Sequence, residues 1–260
     1  MRFFHYLSLL ALLTFFSAGA ALADERLSLK AGYLMLSPDG TFAASGSNLA
    51  GTPIDLKNDL RYDDSKDFFV EGALQHGSVR LTASYTPLEF SGQGSLNREV
   101  NFAGRTFSGT AQSASNVEID LIDLGLTWFL INPDHLPFKL QLGPEIAVKL
   151  VMADMTLSGE STAAPGLRIT EKESGTVPVP TLGARARLGI SDLLAISGRV
   201  GYLEFDNNRF FDLDGQLEFS PVPLVGIFGG YRYLDIKVDE SDVFIDASFS
   251  GPYLGAFVRF

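Results

Sequence analysis

The fold is decided by the stretch Tyr253-Leu254-Gly255-Ala256-Phe257-Val258-Arg259-Phe260, in which apolar residues occupy every second position. The apolar side chains that share one face are Leu254, Ala256, Val258 and Phe260. The opposite face carries Tyr253, Gly255 and Arg259. Successive side chains of a β-strand point to opposite faces, so this alternation predicts a strand with one apolar face.

The same alternation recurs in nine segments upstream, and no stretch after Ala23 approaches the ~18 continuous apolar residues of a membrane-spanning helix. The nine segments are Leu27–Met35, Phe68–Gln75, Val79–Thr86, Ile122–Trp128, Phe138–Lys149, Leu182–Ile190, Leu194–Tyr202, Phe211–Phe219 and Val225–Tyr233. Together with the last stretch they predict about ten strands.

The second face of each segment distinguishes between two all-β architectures. A soluble sandwich would expose Lys, Glu and Thr there, whereas this chain carries Gly, small residues and isolated charges of both signs. Aromatic residues mark the ends of the apolar faces, at Tyr33, Tyr85, Trp128, Tyr202, Tyr231, Tyr233 and Phe260. The pattern predicts an all-β, transmembrane, antiparallel up-and-down β-barrel of about ten strands. Counts of eight or twelve stay open, because the segments near Asn97 and Phe244 are ambiguous.

The predicted connections alternate in length. The tight turns are His76–Ser78, Asn132–His135, Ser191–Leu193 and Ser220–Pro223, which contain the residues that favour chain reversal. The long excursions are Ser37–Lys66, Ser91–Asn116 and Leu157–Val177, with two short ones near Asn207 and Asp239. Short periplasmic turns and longer extracellular loops are typical of outer-membrane barrels. The stretch Asn97–Gly109 alternates enough to form an outer hairpin over the mouth of the barrel.

The first 23 residues have the layout of a secretory signal peptide. Arg2 supplies the positive start, Leu7–Phe16 the apolar stretch, and Ala21-Leu22-Ala23 a small-residue cleavage site. We therefore expect export, with residues 1–23 removed and residues 24–260 forming the barrel and its loops.

Composition excludes several classes of protein. The chain of 260 residues contains no Cys, which excludes a disulfide scaffold and a cysteine-ligated metal site. Its formal net charge of −11 argues against a nucleic-acid partner, which would require a basic surface.

The last strand resembles the C-terminal assembly signal of bacterial outer-membrane β-barrel proteins, carried here by Tyr253, Gly255, Val258 and Phe260. It departs from that signal in having Val258 where an aromatic residue is common, and Pro252 early in the strand. More broadly the chain resembles the small porin-like and OmpA-like barrels of the Gram-negative envelope. The resemblance implies the cell outer membrane, insertion by the barrel-assembly machinery, and contact with outer-membrane lipid and lipopolysaccharide. We expect a monomer.

Charged residues on the predicted inner face are the candidate site. They are Arg185, Arg187, Arg199, Arg232, Arg259, Lys139, Glu145, Lys149, Asp212, Asp214 and Glu218, with Glu71 and Asp123 on earlier strands. Basic and acidic walls facing each other would bias ion passage through a narrow pore. Unpaired buried charges are costly, however, so we expect these residues to pair and fill the interior.

An active site is not evident. Omptin-type proteases and lipid A deacylase-type barrels both use a histidine near the outer rim, whereas His76 and His135 lie in predicted periplasmic turns. The acidic loop residues lack the spacing of a calcium site, and we expect them to be solvated. We therefore expect no enzyme activity, no cofactor and no dedicated metal site.

These features favour an integral outer-membrane barrel with a structural or surface-interaction role through its extracellular loops. The alternative is a narrow porin-like diffusion channel for ions or small solutes. An outer-membrane hydrolase is the third hypothesis.

Overall fold

The structure is a computed structural model, and it describes residues 27–46, 49–95, 98–107, 112–133, 139–160, 167–222, 224–239 and 243–260. The predicted signal peptide and His135 lie outside these residues. The described chain forms strands β1 (Leu27–Ala44), β2 (Ile54–Asp55), β3 (Ser65–His76), β4 (Val79–Ser95), β5 (Val100–Phe102), β6 (Arg105–Phe107), β7 (Gln112–Trp128), β8 (Lys139–Glu160), β9 (Arg168–Gly189), β10 (Leu194–Phe205), β11 (Asn208–Val222), β12 (Val225–Asp239) and β13 (Val243–Arg259). Within that part of the chain, no helix has the length and hydropathy needed to cross a membrane.

Ten strands form one closed antiparallel barrel. Their order is β1, β3, β4, β7, β8, β9, β10, β11, β12 and β13. Strand β13 then pairs with β1, so that Arg259 lies opposite Ser28. The predicted barrel of ten strands is confirmed. Phe244 belongs to β13, and the segment after Asn97 forms the separate hairpin β5–β6.

The two ends of the barrel differ in their connections. At the short-turn end, β3 and β4 are joined by Gly77 and Ser78, and β1 and β13 bring Leu27 and Phe260 together. At the long-loop end, residues 45–64 join β1 to β3, and the described part of this connection contains the two-residue β2. Residues 96–111 join β4 to β7 and contain the hairpin β5–β6.

Several strands continue further toward the long-loop end than the sequence predicts. Strand β4 runs to Ser95 and β7 begins at Gln112, although Ser91–Asn116 was expected to be a loop. Likewise β8 ends at Glu160 and β9 begins at Arg168. The predicted boundaries of these loops are wrong, because the pattern of polarity changes along each strand.

Strand β7 shows this change most clearly. Near the short-turn end, Leu124 and Trp128 point outward and are exposed, whereas Asp123 and Thr127 point inward and are buried. Nearer the long-loop end, Glu118 points outward and is exposed. The inward residues there are Val117 and Leu121, which are buried.

The same inversion occurs on neighbouring strands. In β4, the inward face changes from Arg80, Thr82, Ser84 and Thr86 to Leu88 and Phe90, while the outward face changes from Val79, Leu81 and Tyr85 to Glu89, Ser91 and Gln93. The pattern of apolar residues outside and polar residues inside therefore stops at the inversion, although the strand continues beyond it.

A ring of outward aromatic residues marks the level of the inversion. This upper aromatic ring comprises Tyr33, Phe68, Tyr85, Tyr202, Phe211, Tyr231 and Tyr233. Three pairs within it meet edge to face: Tyr33 with Phe68, whose centroids lie 5.1 Å apart, Tyr202 with Phe211, and Phe211 with Tyr233. A lower ring lies at the short-turn end and comprises Trp128, Phe219 and Phe260. We call the part between the rings the lower barrel, and the part beyond the upper ring the upper barrel.

Candidate functional site

The lower barrel is filled by a network of ion pairs, which we call the luminal network. Its cations are Lys149, Arg185, Arg199 and Arg232, and its carboxylates are Asp123, Glu145 and Asp212. Alternation places all seven on the inner face of β7 to β12, opposite the apolar side chains that face the lipid.

Lys149 lies at the centre of this network and is only 1% exposed. Its Nζ donates to Asp123 and, over 2.7 Å, to Asp212. Asp212 in turn accepts two hydrogen bonds from Arg232, at 3.2 and 3.0 Å. Each of these charges is therefore compensated at close range, as burial requires.

Arg199 connects the two acidic sides of the network. Its guanidinium donates to both oxygens of Asp123, at 2.6 and 3.0 Å, and to Glu145. Glu145 also accepts hydrogen bonds from Arg185 at 2.8 Å and from Thr127 at 2.7 Å. The fork geometry of arginine suits such shared carboxylates.

A second group of charges surrounds Glu218 near the short-turn end. Glu218 accepts hydrogen bonds from Arg187 at 3.0 Å, from Lys30 at 3.2 Å and from Arg259. The Arg259 guanidinium also lies over the Phe257 ring, 4.0 Å from its centroid. Aromatic side chains thus line the wall of β12 and β13 beside these cations.

Two small cavities remain between these groups. One has a volume of about 60 Å³ and is bordered by Glu71, Arg185, Asp214 and Tyr253. The other has a volume of about 20 Å³ and is bordered by Arg80, Arg187 and Glu218. Arg185 Nη2 and Glu71 Oε1 are buried without a hydrogen-bond partner among the described residues. Volumes of this size hold a few ordered water molecules.

The upper barrel is filled by apolar side chains, which we call the upper core. The strands contribute Leu36, Leu88, Phe90, Val117, Leu157 and Phe249. Residues 45–64 contribute Ile54, Leu56, Leu60 and Tyr62, and the hairpin contributes Val100, Phe102 and Phe107. Phe102 and Phe107 are both 0% exposed, so the hairpin closes the mouth of the barrel.

Close backbone contacts hold these loops in place. A Cβ added at Gly94 of β4 would lie 2.0 Å from the Asp59 carbonyl oxygen, so only glycine lets the loop approach this strand. The hairpin turns at Ala103 and Gly104, which have φ angles of 50° and 78°. Two consecutive residues with positive φ are typical of the type I′ turn that suits a tight hairpin.

An ion pair ties the two loops together. Arg98 donates to both carboxylate oxygens of Asp59, at 3.2 and 2.8 Å, and to the carbonyl of Pro53 at 2.7 Å. Below it, the Tyr62 and Ser115 hydroxyls lie 2.6 Å apart. Burial raises the pKa of Tyr62 to about 12, although the contact with Ser115 opposes the shift.

The structure brings most of the predicted luminal residues together. Arg185, Arg199, Arg232, Glu145, Lys149 and Asp212 form the luminal network, with Asp214 beside the larger cavity. Arg187, Arg259 and Glu218 form the second group. Lys139 is exposed at the beginning of β8 and belongs to neither group.

The acidic and basic residues interdigitate instead of forming opposite walls. Asp212 and Asp214 of β11 lie between the arginines of β10 and β12, since Asp214 is opposite Arg199 on one side and Arg232 on the other. Sequence reasoning missed Lys30 and Arg80 as luminal residues. The sequence pattern could have identified them as inward residues, because both alternate with lipid-facing residues of β1 and β4.

The residues that resemble an assembly signal occupy both faces of β13. Tyr253 and Gly255 point inward, whereas Val258 and Phe260 point outward. These orientations agree with the predicted alternation. Within the described part of the chain, His, Asp and Glu side chains do not form a group of three that could hold a metal ion.

A closed barrel with an outward apolar belt, two aromatic rings and a polar lumen defines an outer-membrane β-barrel protein. Its short-turn end faces the periplasm and its long-loop end the exterior.

No family model and no curated protein match the chain. Among matching solved structures, Ail, the attachment invasion locus protein of Yersinia pestis, is 12% identical, with a TM-score of 0.36 over 92% of this chain and 100% of that one. Neisserial surface protein A is 8% identical, with a TM-score of 0.39 over 90% and 97%. The translocator domain of the autotransporter NalP from Neisseria meningitidis is 14% identical, with a TM-score of 0.43 over 98% and 96%. Such values concern the fold alone.

Proposed function

We propose that this protein is a closed outer-membrane barrel that acts through the surface of its upper barrel, and that it does not conduct solutes. The observation that carries the proposal is the upper core. Loop residues such as Leu60 and Phe102 lie fully buried in the barrel mouth, where a diffusion channel would need water.

The luminal network supports the same conclusion. A channel that selects ions needs charged groups that a passing ion can reach. Lys149, in contrast, is buried and forms ion pairs with Asp123 and Asp212. A ten-stranded barrel has little spare interior once such side chains occupy it.

The upper barrel offers the surface for such a role. From Tyr85 to Ser95, β4 continues roughly 30 Å along its own direction beyond the upper aromatic ring. Its outward residues are polar and its inward residues apolar, as in a water-soluble barrel. The upper barrel therefore supplies a folded surface outside the membrane.

We also propose that the protein catalyses no reaction and acts as a monomer. Four luminal carboxylates, Asp123, Glu145, Asp212 and Glu218, are each held by cations, so none is poised as a general base. His76, the one histidine among the described residues, is exposed at the short-turn end of β3. Pairing of β1 with β13 closes the barrel and leaves no open strand edge within the lower barrel for a second copy. Outer-membrane lipid, lipopolysaccharide and, during insertion, the barrel-assembly machinery are its proposed contacts.

Ion conductance across a planar lipid bilayer tests the proposal. The refolded chain is added to the bilayer after heat-modifiable gel migration has shown that it is folded, with an open porin as the positive control. We expect no steady openings. Reproducible, ion-selective openings from the folded chain would overturn the proposal in favour of a narrow channel, and Arg199 would then be the first residue to neutralise.

A further inference from the structure

Strand β9 has an unpaired edge in the upper barrel. On one side it pairs with β8 over its whole length, from Gly189 opposite Lys139 to Arg168 opposite Glu160. On the other side it pairs with β10 only from Gly189 to Leu182. Since β10 ends at Phe205, no described strand covers this side of β9 from Arg168 to Thr181.

Two prolines define the direction in which the edge opens. Pro178 and Pro180 lack an N–H, yet both lie within the continuous ladder that β9 forms with β8. Backbone groups of alternate residues point to opposite sides of a strand, so the even-numbered residues of β9 face away from β8.

The prolines also limit the length of the open edge. On the membrane side of residue 177, Pro178 and Pro180 have no N–H to donate to an added strand. Farther from the membrane, the edge that faces away from β8 still presents an N–H and a carbonyl at Thr170, Lys172, Ser174 and Thr176. The usable edge therefore extends from Arg168 to Thr176.

Both faces of this edge are accessible and carry opposite charges. Residues 172–178 are exposed, and a Cβ added at Gly175 would meet no atom within 4 Å. Arg168 and Lys172 lie on the outward face, whereas Glu171 and Glu173 lie on the other. Glu171 already forms an ion pair with Arg105 of the hairpin, at 3.2 Å. An added strand would thus meet a positive outward face and a negative inward face.

A second copy of this chain does not suit the full length of the edge. Antiparallel pairing of residues 168–176 with themselves would place Lys172 opposite its own equivalent. It would also place Glu171 opposite Glu173. Like charges directly opposite one another destabilise a sheet.

We propose that the edge of β9 from Arg168 to Thr176 docks an extended polypeptide segment of a partner protein by antiparallel strand addition. Carboxylates of the segment face Arg168 and Lys172, and a cation faces Glu173. Backbone hydrogen bonds supply the affinity, and the alternating charges supply the register. This proposal rests on the surface role proposed above and names the class of partner for it.

A labelled synthetic peptide tests this directly on the full chain refolded in lipid nanodiscs. The peptide spans residues 168–176 in antiparallel register, with Glu opposite Arg168 and Lys172, Lys opposite Glu173, and Thr or Val elsewhere. A peptide with Glu and Lys exchanged is its control. Binding is measured by fluorescence anisotropy, and we expect the exchanged peptide to bind more weakly.

Paired variants separate backbone from side-chain effects. Thr170→Pro with Ser174→Pro removes two edge donors, and we expect binding to weaken by about tenfold or more because two hydrogen bonds are lost. Thr170→Ala with Ser174→Ala changes the same side chains but keeps the donors, so it binds like the natural chain. Heat-modifiable migration verifies that each variant is folded.

Absence of peptide binding by the natural chain, or equal binding by the proline and alanine variants, would overturn the docking site. Neither result bears on conductance, which tests the closed barrel separately.

Discussion

Lys149 illustrates how single residues make the lumen of this barrel stable. Its ammonium is buried between Asp123 and Asp212, and an ammonium in such a place is tolerated only because both carboxylates are in contact with it. The sequence could predict that Lys149 points inward, since it alternates with Val148 and Leu150. It could not predict the partners, because Asp212 lies 63 residues away in the chain.

Replacing Lys149 therefore tests the network. Lys149→Met leaves two buried carboxylates without this cation, and we expect it to lower the free energy of unfolding by about 3–5 kcal/mol. The measurement is urea unfolding in lipid vesicles, followed by the fluorescence of the single tryptophan, Trp128. Lys57→Met, which removes an exposed partner of Asp39, is the control and should cost about 1 kcal/mol or less. Equal losses from the two variants would contradict the structural role of the network.

Tyr62 makes the stability of the upper core depend on alkaline pH. Its pKa is raised by burial from 10.0 to about 12, so the unfolded chain loses this proton at lower pH than the folded one. The contribution of Tyr62 is fully present below pH 10 and is lost as the pH rises toward 12. We expect a loss of about 2–3 kcal/mol from this residue across that window.

The comparison is between the natural chain and Tyr62→Phe, each unfolded in urea at a series of pH values. The variant should show a shallower decline in unfolding free energy between pH 10 and 12, because phenylalanine does not ionise. Parallel declines in the two proteins would mean that Tyr62 is not buried as described.

At the scale of the strand, the inversion of polarity explains both the success and the failure of sequence reasoning. Alternation predicted the lower-barrel part of β7 correctly, since Ile122–Trp128 has apolar residues on one face only. Beyond Ile122 the two faces are reversed: the apolar Leu121 points inward and the polar Asp120 points outward. A pattern that assumes one apolar face therefore ends there, although hydrogen bonding with β8 continues to Ala114.

Arginine substitutions on the outward face of β7 test the inversion. Leu124→Arg places a charge in the lipid belt, and we expect it to destabilise the folded barrel by about 2–4 kcal/mol. Glu118→Arg changes the same face of the same strand beyond the upper aromatic ring, where we expect nearly no effect. Unfolding in lipid vesicles measures both. A similar cost at the two positions would show that the boundary of the membrane is placed wrongly.

At the scale of the whole molecule, the barrel has two levels of opposite polarity. Ten strands close the lower barrel, and the strands that continue farther beyond the upper aromatic ring, such as β4, β7, β8 and β9, form the upper barrel. The number of strands and the orientation of the ends could be predicted, because both follow from repeated local patterns. Closure of the mouth could be predicted only as an outer hairpin formed by the segment Asn97–Gly109. The contacts that secure it, such as Asp59 with Arg98 and Gly94 with the loop backbone, join residues distant in sequence.

The position of the membrane along β7 tests this account most directly. Trp128→Phe provides a background without tryptophan, and Leu126→Trp, Ile122→Trp and Glu118→Trp then place one probe at each level of the outward face. Quenching by brominated lipids reports which probes contact acyl chains. The account predicts strong quenching at position 126, weaker quenching at position 122, which lies opposite Tyr85 of the upper aromatic ring, and none at 118. Strong quenching at 118 would contradict it, since the upper barrel would then lie within the membrane.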